Sequence, residues 1–181
     1  GRPVAAHCGG SHWAIRLAEL GGRSVEHGYA LDEEAAAAMA RAGTWLVPTI
    51  SVTHDVALMD KDNWPAHARD RALATAPGHA DAVRACLAAG VKLAVGADLN
   101  PIGPRLHEEL RQLEAIGLDR LAVLRAATAG GRELNGLGSE TAPQPGSAAD
   151  LLLLEGSPLD DLSVLSRPAG VLAFGRFLVH P

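Results

Sequence analysis

The chain has 181 residues, and 48% of them are hydrophobic, which is enough for one globular domain with a substantial core. A formal net charge of −5 argues against nucleic acid as a partner, and no apolar run reaches the roughly 18 residues needed to span a membrane. The two cysteines, Cys8 and Cys86, exclude a disulfide framework.

Three strands are predicted in the first part of the chain, and two of them end on histidine. Residues 2–7 form an apolar strand that closes at His7, and residues 24–27 form a shorter one that closes at His27. The third strand covers residues 44–47. Helical patterns separate these strands, so we expect strand–turn–helix units in a parallel sheet.

The two helices between these strands have capping signals. The first is predicted from Ser11 to Leu20, with Ser11 as its N-cap. The second is predicted from Glu33 to Ala42, with Asp32 as its N-cap and Gly43 as its stop.

A fourth strand is predicted over residues 91–95, between helices at residues 78–89 and 106–116. Asp98 follows this strand. Parallel sheets bind their ligands beyond the carboxyl ends of the strands, and Asp98 is expected at such an end.

His7, His27 and Asp98 are therefore expected at equivalent ends of neighbouring strands. A single histidine at a strand end is more often a hydrogen-bonded turn residue, but two of them with an aspartate weaken that interpretation. Imidazole and carboxylate groups are ligands of Zn²⁺ and similar divalent ions. The pattern predicts a divalent metal site at one mouth of the fold.

Further polar residues near the strand ends are candidates for contact with a substrate. Thr49 and Asn100 follow the third and fourth strands. Residues 50–78 are predicted as a long polar loop with a turn or two of helix, and His54 is its member closest to a strand end. His107, in the first turn of the following helix, either points into the site or is exposed.

The predicted structure changes near residue 138. A helix over residues 120–129, capped by Asp119, and a short helical stretch over residues 132–137 end the alternating region. An apolar strand at residues 149–155 and a hairpin around Gly175 follow. We expect this β-rich tail to form a separate layer.

The ordered set of motifs resembles the C-terminal half of the metal-dependent amidohydrolases, in the branch of imidazolonepropionase-like enzymes and Xaa-Pro dipeptidases. The resemblance covers essentially the whole chain. The motifs are Val4-Ala5-Ala6-His7, Val25-Glu26-His27-Gly28, Leu46-Val47-Pro48-Thr49, Gly96-Ala97-Asp98, His107-Glu108-Glu109-Leu110, Ala126-Ala127-Thr128 and Pro145-Gly146-Ser147-Ala148-Ala149-Asp150-Leu151.

The resemblance implies a fold in two parts. Residues 1–137 correspond to strands five to eight of a TIM-like (β/α)8 barrel, and residues 138–181 to the C-terminal strands of a small composite β-sandwich. The chain starts at Gly1 without a methionine, and we expect it to be the C-terminal part of a longer protein. The family's His-x-His pair and bridging lysine would precede Gly1, so we expect little or no activity from this chain alone.

By the same resemblance, His7 and His27 bind metal, and Asp98 both binds metal and shuttles protons. The complete protein would hold one or two Zn²⁺ ions. Many relatives have His-Ala-His-Gly after strand five, whereas this chain has His7-Cys8-Gly9-Gly10. The resemblance implies that the second histidine of that motif contacts substrate, and His12 is the candidate that stands in for it here.

The implied function is hydrolysis of amide or cyclic amide C–N bonds in small substrates such as dipeptides, N-acyl amino acids or lactams, by metal-activated water. The alternative is a catalytically silent fragment or an assembly module. A doubly wound binding domain is disfavoured because no Gly-rich phosphate loop follows a predicted strand. We expect a small-molecule substrate and no nucleic-acid or membrane partner. A cytoplasmic location is expected, and a homo-oligomer is compatible with the sequence.

Overall fold

The computed structural model describes residues 2–139 and 142–180 and has the predicted α/β character. The first part contains a parallel sheet in the order β1 (Ala5–Gly10), β2 (Ser24–Ala30) and β3 (Trp45–Val47). Because all three strands run in one direction, their carboxyl ends lie at the same edge of the sheet.

Two helices connect these strands and pack against each other: α1 (Ser11–Glu19) and α2 (Glu33–Ala42). The predicted bounds of α2 are confirmed, with the Asp32 carboxylate accepting from Ala35 N at 2.9 Å and Gly43 left-handed at φ 71°. The prediction of Ser11 as an N-cap is wrong. Its hydroxyl instead donates to the carbonyl of Ala30 and accepts from the N–H of Asp32, so that it ties α1 to the end of β2.

The segment after β3 is far more helical than predicted. It forms α3 (Ser51–His54), α4 (Val56–Lys61) and the long α5 (Ala66–Ala88). Pro77 lies inside α5, and proline in a helix interior normally ends or kinks a helix. Helix α5 nevertheless continues through it and packs on β2, α2 and α3, so tertiary contacts outweigh the local signal.

The predicted strand at residues 91–95 is present only as an irregular extended segment. It forms a single parallel bridge to β3, between Leu93 and Leu46. Leu46 N donates to the carbonyl of Lys92 at 3.0 Å, and Ala94 N donates to the carbonyl of Leu46 at 3.1 Å. This segment therefore lies beside β3 and directs the chain toward Asp98.

Helices follow this segment and contribute apolar residues to the main core. They are α6 (Ile102–Ala115), α7 (Arg120–Arg125), a π-helical turn (Ala126–Gly130) and α8 (Gly131–Leu134). Asp119 caps α7 as predicted, since its carboxylate accepts from Ala122 N at 2.8 Å. None of the helices in the described ranges is long and apolar enough to cross a membrane.

The tail contains a second sheet, in which β4 (Leu151–Leu153), β5 (Gly170–Ala173) and β6 (Arg176–Val179) are antiparallel. The predicted hairpin around Gly175 is thus confirmed. A 3-10 helix, Leu162–Ser166, lies between β4 and β5 and inserts Leu162 into the main core. The proposed domain boundary between residues 137 and 138 stays a prediction.

Gly130 of the π-helical turn packs closely against the backbone of the segment that leads to Asp98. A Cβ atom at Gly130 would lie 2.4 Å from the carbonyl oxygen of Leu93, whereas one at Gly131 would meet nothing within 4 Å. Because the clash is with backbone, we expect Gly130→Ala to lower the free energy of unfolding by about 1–3 kcal/mol.

Gly131→Ala is the matched control, since it adds the same methyl group one residue later in a helical backbone. It should leave stability unchanged or raise it by up to about 1 kcal/mol. Urea unfolding followed by circular dichroism measures both variants. Equal effects of the two substitutions would contradict this description of the packing.

Candidate functional site

A cavity of about 310 Å³ opens at the carboxyl edge of the parallel sheet. Side chains and backbone from all three strands and from the segment beside β3 contribute to it. The lining residues are His7, Glu26, His27, Val47, Thr49, Gly96 and Asp98. The structure therefore brings the three predicted metal ligands, His7, His27 and Asp98, to one cavity.

A larger cavity of about 580 Å³ lies around Trp45 and Lys92, at the amino end of β3. Three of its four charged groups already have structural partners. Lys92 pairs with Glu133, and Asp119 caps α7. We therefore take the smaller cavity as the candidate functional site, because imidazole and carboxylate groups line it.

Three non-glycine residues at this site have left-handed backbone conformations: His27 at φ 73°, Thr49 at φ 48° and Asp98 at φ 53°. Each such residue costs about 1–3 kcal/mol, and such strain persists only where the surroundings enforce it. At His27 the conformation also breaks the strand alternation that would send adjacent side chains to opposite faces. As a result Glu26 and His27 line the same cavity.

Neighbouring rings and a hydroxyl hold the His27 imidazole. Its Nδ1 lies 2.7 Å from Thr49 Oγ1, and its ring stacks on Tyr29 with centroids 5.1 Å apart. The His7 ring approaches it edge-on at 4.4 Å. The Nε2 atom of His27 has no hydrogen-bond partner among the described residues, so it is the nitrogen left to bind a ligand.

Burial and charge act in opposite directions on His27. Burial lowers the pKa of its imidazole, and the nearby Asp98 carboxylate opposes that shift. Burial also raises the pKa of Glu26, a shift that the Ser24 hydroxyl opposes and the Asp98 charge reinforces. A neutral imidazole with a free nitrogen is the form that binds a metal ion.

The chemistry of the donors fits a divalent cation, since two imidazoles and a carboxylate are a common part of a zinc ligand set. Within residues 2–139 and 142–180, however, no three His, Cys, Asp or Glu side chains stand close enough together to hold a metal ion. The donors thus share a cavity without forming a complete ligand cluster, and metal binding by His7, His27 and Asp98 stays a prediction.

Two of the predicted substrate contacts lie at the site. Thr49 lines the cavity and is almost fully buried. Asn100 lines a smaller cavity that it shares with Asp98 and Ile102. Both positions are compatible with contact to a small molecule held near Asp98.

The other three candidates do not line this cavity. His12 is exposed on α1, where its ring meets Trp13 at 4.9 Å. His54 lies half-buried in α3, with Nδ1 3.1 Å from the carbonyl of Ile50. His107 is half-buried on α6. Contact of these residues with a substrate stays a prediction.

Two buried groups near the site were not singled out from the sequence. His79, in α5, donates from Nε2 to the carbonyl of His27 at 3.0 Å, and its Nδ1 lies 2.8 Å from Thr53 Oγ1. Glu109, in α6, binds the turn after β3. The sequence contains one signal for Glu109. It lies at helical spacing with the apolar residues Leu106, Leu110 and Leu113, so a charged residue falls on the apolar face of the helix.

Comparison with known proteins identifies one family. A sequence model described as the amidohydrolase family matches residues 1–176. Ochratoxinase from Aspergillus niger is 30% identical over 172 residues, which cover 94% of this chain and 36% of the ochratoxinase.

Solved structures give the same result. The crystal structure of A. niger ochratoxinase superposes with a TM-score of 0.81 at 30% identity, over 99% of this chain and 42% of that one. A Xaa-Pro dipeptidase with methionine in its active site matches with a TM-score of 0.84 at 29% identity, over 99% of this chain and 45% of that one. A prolidase complexed with N-methylphosphonate-L-proline has a TM-score of 0.86 at 27% identity, over 99% and 45%. The chain spans less than half the length of these relatives.

The burial of His79 predicts a pH-dependent stability. Burial lowers the pKa of His79 to about 4, from an ordinary value of 6.5. The neutral form is therefore favoured in the folded chain, and its contribution is complete above about pH 6.5. As pH falls from 6.5 to 4 the unfolded chain gains the proton first, so stability should fall by about 3 kcal/mol.

Urea unfolding at pH 4.5, 5.5 and 6.5 measures this effect in the wild-type chain and in His79→Gln. The variant should lose a large part of the pH dependence, whereas His67→Gln, which removes an exposed histidine of the same helix, should retain it. An unchanged pH dependence in His79→Gln would refute the assignment.

Proposed function

The chain belongs to the amidohydrolase family, and we propose that it forms part of a metal-dependent hydrolase that cleaves amide C–N bonds in small molecules. One observation carries the proposal: His7, His27 and Asp98 line a single cavity at the carboxyl edge of a parallel sheet. This edge is where enzymes with (β/α)8 barrels hold their catalytic groups.

We further propose that the chain supplies strands five to eight of a (β/α)8 barrel and, after residue 137, strands of a small β-sandwich. The three parallel strands and the bridged segment at Leu93 support this count of four. The chain spans 42–45% of the length of the two solved structures, ochratoxinase and the Xaa-Pro dipeptidase. This length is compatible with half a barrel and its flanking strands. Further ligands would then come from elsewhere in the longer protein.

His7 and His27 would hold the cation, with His27 binding through Nε2 because Thr49 occupies its Nδ1. Amidohydrolases generally use divalent metals, and Zn²⁺ suits these donors. When bound, such an ion polarises an amide carbonyl and lowers the pKa of water. Asp98 takes a proton from the attacking water and delivers it to the leaving nitrogen as the C–N bond breaks.

The relatives suggest which substrates to test first. Two of the structures hold amino-acid groups, methionine in a Xaa-Pro dipeptidase and a phosphonate derivative of proline in a prolidase. We propose dipeptides and N-acyl amino acids as the leading candidates and lactams as the next. All of these have one amide carbon for water to attack and one nitrogen that must be protonated on departure.

A second function, a catalytically silent structural module, is favoured by one observation. Among the described residues no group of three potential metal ligands is close enough to hold an ion. Such a module would keep the fold without turnover, and the experiment below distinguishes the two functions.

Asp98→Asn in the full-length protein should reduce turnover of a cleaved dipeptide by at least about 10²–10⁴-fold, because the amide cannot accept a proton from water. Asp98 is exposed, so the variant should fold normally. Steady-state kinetics with Zn²⁺ present, over a panel of dipeptides and N-acyl amino acids, provides the measurement.

Asp70→Asn, which changes an exposed carboxylate on α5, is the control and should keep wild-type kinetics. Unchanged turnover in Asp98→Asn would contradict the assignment of Asp98 as the residue that transfers the proton. The absence of any amide hydrolysis by the full-length wild-type protein across the panel would instead favour the silent module.

A further inference from the structure

The turn that follows β3, residues 48–51, connects the sheet to α3 and determines where Thr49 lies. Thr49 is buried and has φ 48°, a conformation that a β-branched residue strongly disfavours. Its hydroxyl nevertheless lies 2.7 Å from Nδ1 of His27 on the neighbouring strand. Some other group must therefore hold this turn in its strained form.

Glu109 of α6 provides that group. Its side chain is fully buried, and its two carboxylate oxygens each accept one backbone hydrogen bond, from Ile50 N and from Ser51 N, both at 2.8 Å. These are the two N–H groups that directly follow Thr49. A bidentate acceptor on consecutive amides fixes the orientation of both peptide planes, and so fixes the backbone of Thr49 on their amino side.

A carboxylate is an expensive choice at this position. Burial raises the pKa of Glu109 to about 7, and the hydrogen bonds from Ser51 and Ile50 oppose that shift. No Lys, Arg or His of the described residues forms an ion pair with it. An apolar residue would leave the buried N–H groups of Ile50 and Ser51 without these acceptors, so the two hydrogen bonds are what this residue contributes.

A second buried charge on α6 forms ion pairs with the same segment. Arg105, one helical turn before Glu109, lies 3.8 Å from the carboxylate of Asp55 and 3.6 Å from that of Asp62, at the two ends of α4. Helix α6 therefore contacts the segment after β3 through two buried side chains, Glu109 and Arg105.

We propose that Glu109 is a positioning residue for His27: through the amides of Ile50 and Ser51 it sets the conformation of Thr49, whose hydroxyl accepts from His27 Nδ1–H and leaves Nε2 free. The inference rests on the proposed function only for the role of that free nitrogen as a metal ligand. The coupling between Glu109 and the His27 tautomer is a separate statement about this chain.

The test uses the His27 tautomer, which can be measured without metal. In the 181-residue chain labelled with ¹⁵N-histidine, long-range ¹H–¹⁵N NMR should find His27 protonated on Nδ1 in the wild type, with His27→Gln identifying its signals. Glu109→Gln keeps the shape but has one acceptor oxygen, so one amide loses its partner. The variant should shift His27 toward a mixture of tautomers.

Glu108→Gln is the matched control, since it neutralises the adjacent carboxylate, which pairs with Arg111 at the surface. It should leave His27 unchanged. Glu109→Asp, whose shorter side chain cannot reach both amides, should act like Glu109→Gln and replaces it if that variant does not fold. If the folded Glu109 variant keeps His27 in the same tautomer as the wild type, the proposal is overturned. It is also overturned if His27 of the wild-type chain is protonated on Nε2.

A double-mutant comparison separates positioning from general loss of structure. Thr49→Val removes the hydroxyl, so the further addition of Glu109→Gln should change the His27 signals no more than Thr49→Val does alone. Independent, additive changes would show that Glu109 acts by another route and would overturn the proposal.

Calorimetric titration with Zn²⁺ then measures the consequence for binding, which should weaken by about 10–100-fold in Glu109→Gln and not in Glu108→Gln. If the wild-type chain and the full-length protein bind no Zn²⁺ at their histidines, the proposed function fails. The tautomer measurement, made without metal, still decides the role of Glu109.

Discussion

Backbone strain at the carboxyl edge of the sheet is the constraint that the surrounding structure must satisfy. His27, Thr49 and Asp98 are all left-handed, at a cost of about 1–3 kcal/mol each, and all three line one cavity. Relaxation of any of them would move a polar group away from that cavity. The neighbouring helices therefore hold the strand ends in place as well as covering the sheet.

The groups that hold this edge are themselves buried and polar. His79 of α5 donates to the carbonyl of His27, while Thr49 bonds the His27 ring and Glu109 holds the turn that contains Thr49. A network of this kind is rigid only when each member has its partner, and an unpaired member is costly. The network links α5 and α6, which do not reach the cavity, to an imidazole that does.

Local signals in the sequence were sufficient for some elements and not for others. The bounds of α2 follow from the Asp32 cap and the Gly43 stop, which act within one turn of helix. Ser11 looked like a cap, but its hydroxyl is used by Ala30 and Asp32, which are distant in sequence. The helix predicted at residues 78–89 matches only the second half of α5. Polar residues and Pro77 conceal the first half, whereas packing on β2 determines the whole helix.

For the candidate site too, the sequence signals were sufficient for some residues and not for others. His7, His27 and Asp98 could be found because the sequence predicts each of them at the end of a parallel strand, although β1 and β2 continue past the two histidines to Gly10 and Ala30. Glu26 was missed as a lining residue because the alternation of a regular strand hides it, and only φ 73° at His27 places the two side chains in one cavity. The contacts of Glu109 with Ile50 and Ser51 span far too much sequence for any local pattern to reveal them.

The most direct test of the account is anomalous X-ray diffraction at the zinc absorption edge, from crystals of the full-length protein grown with Zn²⁺. We expect a zinc peak in the cavity at the carboxyl edge of the sheet, at about 2.0–2.1 Å from Nε2 of His27 and within ligand distance of His7 or Asp98. A zinc ion bound only elsewhere, or coordination of the ion by His27 through Nδ1 with Thr49 displaced, would contradict it.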